Sequence, residues 1–257
     1  MTRLQWLDLR ATLRERKTWL AAAMLLYAVV SIPVLFERPP PHVLAAVQAW
    51  FASDDPFALF MYLWIDLVMN KAIAFLPVVM ASGVVLRERD LGSLVLVASK
   101  PIGMSRYFVL RAMSACLAMA ILYIATQLLG ALWFSMQVAG FHARPFLLAM
   151  VPNLFAATFA TALAAACAAW VRRRVAAALV ALGITTTLVG MALVGYYQPA
   201  WRAWANLNPI AVGASALGRL DHLDVLGTLV PAGTLVLATA AMLWLGSIGA
   251  RRLAVLS

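Results

Sequence analysis

Six apolar runs dominate this chain, at about 18–36, 63–86, 107–135, 146–171, 175–197 and 226–249. Each is near or above the roughly 20 residues that an α-helix needs to cross a ~30 Å hydrocarbon core. A lipid-embedded segment must satisfy its backbone amides internally, so the runs predict six helices. The alternating segments of about ten residues that build an outer-membrane barrel are absent from the sequence. Composition agrees, since 65% of residues are hydrophobic and 12% are charged, whereas about a quarter are charged in a soluble domain. The expected fold class is an all-α membrane protein. The first run follows a basic stretch as a signal peptide does, but it is longer than a signal h-region and five more runs follow, so it is expected to be retained. Cys116 and Cys167 lie inside apolar runs and read as packing residues rather than a disulfide or metal framework.

The charge is +10, from 20 Lys and Arg against 10 Asp and Glu. In a soluble protein that excess would suggest nucleic acid; here the position of the charges accounts for it and no nucleic-acid partner is expected. With the N-terminus inside, 15 of the basic residues fall on the cytoplasmic side, four (Arg38, Arg144, Arg202, Arg219) fall outside, and Lys71 lies within a span. The bias holds loop by loop and places both termini in the cytoplasm. Residues 1–17 are expected to form an N-terminal interfacial helix, 18–249 the transmembrane domain and 250–257 a cytoplasmic tail. On the first helix Arg3, Arg10 and Arg14 form a strip flanked by Trp6, Leu13 and Leu7, suited to anionic headgroups at the bilayer surface; a solvated basic flank is the alternative. Phe57, Phe60, Tyr62 and Trp64 are expected to mark the outer interface. In the last outer loop Asn208-Pro209 is a helix start, predicting an interfacial or re-entrant outer helix over 209–220.

Charged and polar groups inside the membrane are the first candidates for function. Asp66, Asn70 and Lys71 sit in the second run. If that helix leaves the membrane at Arg87, Lys71 lies about 24 Å and Asp66 about 31 Å above it, near the outer interface. The three can be an interfacial charge pair, or an outer gate or substrate contact. His42, His142 and His222 all fall in outer loops, and their spacing matches no local ligand motif, so no metal site is expected. The sequence has no G-x-S-x-G elbow and no H-E-x-x-H, so the chain is not expected to be an enzyme. None of its lysines, Lys17, Lys71 and Lys100, completes the G-K-[ST] of a phosphate-binding loop, so a motor driven by ATP through such a loop has to be another chain. Small residues recur at four-residue spacing, as Thr158, Ala162 and Ala166 in the fourth run and as Gly183 with Thr187 and Thr186 with Gly190 in the fifth. Such stripes serve close helix packing, either within the bundle or across a homodimer seam.

Between the second and third runs the sequence reads RERDLGSLVLVASKPIGMSR over 87–106. Leu91, Leu94, Val95 and Ala98 fall at i, i+3, i+4 and i+7, one apolar helical face, and Pro101 ends the helix. The segment is too short to span and suits a groove on a partner. Glu88-Arg89-Asp90-Leu91-Gly92-Ser93-Leu94, with Leu96, Pro101 and Ser105-Arg106 following, resembles the E-R-E-x-G-T-L-E-x-L-L-S-x-P-x-S-R pattern of ABC-2 type transporter permeases. Val95 stands where that pattern has a glutamate, and the Arg172–Arg174 loop leaves little room for a second docking element. The six-span layout is similar to that of permeases serving nitrous oxide reductase maturation. The resemblance implies a type V exporter-like fold in a bacterial inner membrane, with a coupling helix over 88–101 in which Glu88, Arg89, Asp90, Gly92, Leu94, Leu96 and Pro101 meet an ABC ATPase subunit. It further implies ATP and Mg on that partner with no cofactor on this chain, pairing with a second copy or a homologous permease, and export between the paired bundles. The alternative is a membrane scaffold that relays ATPase motion to a periplasmic protein.

Overall fold

Helix ends in this chain are set by a few local residues. The computed structural model describes residues 3–38, 41, 55–84, 86, 103–171, 173–197, 199–201, 207–214 and 225–255. Helix α1 (Arg3–Leu13) stops at Arg14 and Glu15, where Glu15 turns extended (φ −67°, ψ 144°), and α2 (Arg16–Glu37) begins. The corner is tied by Thr18 Oγ1, which donates to the Thr12 carbonyl at 2.6 Å. The second span starts at Pro56, seven residues before the apolar run, because Asp55 caps it: its Oδ1 accepts from the Phe57 amide at 3.0 Å and Pro56 fills the first helical position. It runs as α3 (Pro56–Tyr62), a π-helical segment (Leu63–Met69) and α4 (Asn70–Ala81). The remaining spans are α5 (Met104–Gln137), α6 (Ala143–Trp170), α7 (Arg174–Tyr197) and α9 (Val225–Val255), with the short α8 (Pro209–Ala214) before the last. Gly140, at φ +71°, closes the connection from α5 to α6 in a conformation that other residues avoid. Six helices are long and apolar enough to cross a membrane, and no strand occurs among the described residues. The chain is a multi-pass membrane protein.

Helix α6 is the axis of the bundle. Every residue from Thr161 to Ala169 is buried, and six of those nine are alanine, so neighbours approach closely on all sides. Helix α9 comes nearest. A Cβ at Gly246 would stand 2.3 Å from Phe108 Cζ and 3.1 Å from Ala166 Cα, and one at Gly249 would stand 2.8 Å from Trp170 Nε1. The Thr158, Ala162, Ala166 stripe is thus used inside the bundle. The α7 stripe is not: Gly183, Thr186 and Thr187 are exposed, and nothing lies within 4 Å of a Cβ at Gly183 or Gly190. Helices α2, α7 and α9 carry most of their apolar side chains outward, including Tyr27, Leu179 and Leu237.

The two ends of the bundle differ in chemistry. At one end Phe57, Phe60, Trp64, Phe134 and Phe146 are buried, with Phe60 and Phe134 centroids 4.8 Å apart and Phe57 stacked edge-on to Phe141 at 5.9 Å. Phe57, Phe60, Tyr62 and Trp64, expected to mark the outer interface, lie in the first turns of the second span and are all buried, so they pack the bundle there rather than form a lipid-facing belt. The outer-helix expectation is met at its start. Asn208 Oδ1 accepts from the Ile210 amide at 3.0 Å, and its Nδ2 donates to the Leu188 carbonyl. Leu188 is nine residues before the end of α7, about 14 Å down that helix. Helix α8 therefore re-enters the bundle rather than floating on its surface. The expected continuation to 220 lies outside the described residues, as do His42 and His222.

Candidate functional site

The other end is basic and holds the stem of the 87–102 segment. The side chains of Glu88, Arg89, Asp90, Gly92, Leu94, Leu96 and Pro101, the expected docking residues, lie outside the described residues. Their footing is described. Lys17 of α2 donates from Nζ to the Met80 carbonyl at 2.7 Å and pairs with Glu15 at 3.1 Å. Met80 is in the last turn of α4, where carbonyls have no helical partner and a cation is favourable. Arg174 of α7 covers Gly83, where a Cβ would meet its Nε at 3.1 Å. On the return side, Ser105 of α5 donates to the Ser247 carbonyl at 3.1 Å and accepts from Arg251 Nε at 2.8 Å, fastening α5 to α9. Trp170 donates to the Leu245 carbonyl at 3.1 Å, with the Arg252 guanidinium 4.6 Å over its ring.

Helix α1 joins the same stem through an ion pair between Asp8 and Arg111 of α5, both largely buried. Leu9 and Thr12 share that inward face, while Leu4, Trp6, Leu7, Arg10 and Arg14 point outward. The first helix is therefore bonded to the bundle on one face, beyond its expected role at the bilayer surface. Thr12, Glu15, Lys17, Met80, Gly83 and Arg111 line an open crevice between α1, α2, α4 and α5. Sequence reading missed Asp8; its signal is that it is the one acid among the residues of α1, on the side opposite the arginine strip.

The second candidate is the π-helical turn inside the membrane. The Asn70 amide bonds to the Ile65 carbonyl, five residues back. Such turns concentrate at functional places. Gln127 of α5 bridges the turn, accepting from Trp64 Nε1 at 3.0 Å and donating to Met69 Sδ at 3.1 Å. Below it Thr185 of α7 donates to the Ala74 carbonyl at 3.1 Å. Of the three expected residues, Asn70 is buried in the bundle and Lys71 is exposed, so the structure turns these two in different directions. The Asp66 side chain lies outside the described residues. The helix ends at Ala81 rather than Arg87, and Met80 is level with Lys17 at the head of the first span. Lys71 is nine residues from Met80 and fifteen from Pro56, about 14 Å and 22 Å along the helix, so it stands in the middle part of the second span's length.

His142 is exposed and stacks edge-on to Phe57 at 5.3 Å, and no group of three metal-ligating side chains occurs among the described residues. No protein-family model matches this chain, and no curated protein matches it.

Proposed function

We propose that this chain is the transmembrane permease subunit of an ATP-driven ABC transporter of the ABC-2 type, exporting a substrate across a bacterial inner membrane. One observation carries the reading: the charged, glycine-containing, proline-ended pattern over 88–106 lies between the second and third spans of a six-span chain with no phosphate-binding loop of its own. The basic end then faces the cytoplasm, and the 88–101 segment docks on a separate ATPase that holds ATP and Mg. Two permease copies, or this chain and a homologue, pair with two ATPase subunits, and substrate passes between the bundles.

The stem explains how a push on that segment would spread. Its leading side is held by Lys17 of α2 and covered by Arg174 of α7, and its return side is fastened to α9 by Ser105 and to α1 by Arg111. Motion at 88–101 is thereby delivered to four helices besides the two it joins. The docking energy is apolar: at roughly 25 cal/mol per Å2, burying the Leu91, Leu94, Val95, Ala98 face in a groove stabilises the assembly, and Glu88, Arg89 and Asp90 fix its register. Leu94→Glu is expected to abolish co-purification with the ATPase subunit while the permease still inserts and purifies. Unchanged assembly and unchanged ATPase stimulation would overturn the reading.

A further inference from the structure

Lys71 is out of place for a residue that faces lipid. It is exposed on the outside of the bundle, about 14 Å from the level of Lys17, and its side chain has no hydrogen bond or ion pair among the described residues. A lysine extends roughly 6 Å along its four methylenes and points back toward the helix N-terminus, here the aromatic end. In a ~30 Å core that leaves about 10 Å between its ammonium and the far interface, so it cannot reach water by snorkelling. An ammonium left in hydrocarbon is costly, and such residues line aqueous or polar pathways. Thr185 ties α7 to the Ala74 carbonyl, less than one turn from Lys71, while Thr186 and Thr187 turn their hydroxyls back onto the Leu182 and Gly183 carbonyls of α7, so among the described residues no hydroxyl of α7 is bonded to the ammonium. On the Lys71 face of α4, Phe75 and Val79 follow at i+4 and i+8, both exposed, forming an apolar strip that leads from the cation toward the basic end.

We propose that Lys71 is the recognition residue of an anion subsite at the membrane midplane, taking the acidic head of an amphiphile whose apolar part lies along Phe75 and Val79. This names the substrate class for the pathway between bundles and rests on the transporter reading for its purpose, though not for its existence. The test uses the purified full-length chain in phosphatidylcholine nanodiscs without any ATPase, with a dansyl-labelled undecanoate and its uncharged methyl ester as probes. At about pH 8 the carboxyl is ionised. The parent chain is expected to bind the acid about tenfold more tightly than the ester, Lys71→Met to lose that preference while binding the ester unchanged, and Lys71→Arg to keep most of it. Should Lys71→Met not purify, Lys71→Gln replaces it with the same expectation. A parent chain that binds acid and ester alike, or a neutral variant that retains the acid preference, overturns the subsite. Because no ATPase is present, failure here is separate from failure of the Leu94 assembly test.

Discussion

Gln127 shows what a single polar side chain does in a lipid-embedded bundle. Its amide takes the indole proton of Trp64 and gives its own to the Met69 sulfur, so one residue of α5 holds both ends of the π-helical turn. Removing it strands a fully buried indole N–H, at a cost of about 1–3 kcal/mol. Gln127→Leu is therefore expected to lower the melting midpoint of the detergent-purified protein, and Trp64→Phe added to it should restore part of the loss, because the orphaned donor is gone. A double variant that loses the sum of both single losses would mean the two side chains act independently. Nothing local in LWIDLVM announces the π turn, and the pairing of Trp64 with a glutamine 63 residues away has no periodic signature. Trp64 was readable as an interfacial anchor because aromatic residues near a span end suit the headgroup region and the bundle interior equally. Asp8 and Arg111, 103 residues apart, escape sequence reading for the same reason.

At the scale of elements, apolar run length was enough to find all six spans, since lipid demands it directly. Their ends were less legible. The caps at Asp55 and Asn208 are local and sequence-readable, and Asn208-Pro209 was read as a start, but the second helix begins seven residues before its run and stops five short of it. Which small residues are packed was not readable at all, because the same four-residue spacing occurs on buried α6 and exposed α7. The structure separates them, and two glycines test the separation. Gly246→Val would drive new atoms into buried Phe108 and the α6 backbone, an overpacking of about 1–3 kcal/mol that should reduce yield and melting midpoint. Gly183→Val meets open space and should leave the single chain as stable as the parent. If α7 forms the seam between two copies, Gly183→Val should shift the purified protein toward monomer in multi-angle light scattering. Equal stability losses at both positions would contradict the packing described for α6 and α9.

For the whole molecule, charge and fold meet in the orientation of the bundle. Arg10, Arg14 and Lys17 at the start of the chain, Arg111, Arg173 and Arg174 in the middle, and Arg251 and Arg252 at its end all gather at the end from which the 87–102 segment departs, whereas Arg38 and Arg144 sit at the aromatic end. The sequence counts 15 basic residues against four for the two sides, and the described ones of the larger set share one end of the bundle. Since basic residues are retained on the cytoplasmic side during insertion, alkaline phosphatase fused after residue 257 or within 87–102 should be inactive, and the same enzyme inserted at Gly140 should be active, with green fluorescent protein giving the opposite pattern. Replacing Arg172–Arg174 with glutamine should weaken this bias without inverting it, because the other basic clusters act in the same sense. Phosphatase activity at both chain ends would place the 88–101 segment outside the cell, away from any ATP, and the transporter reading would fall with it.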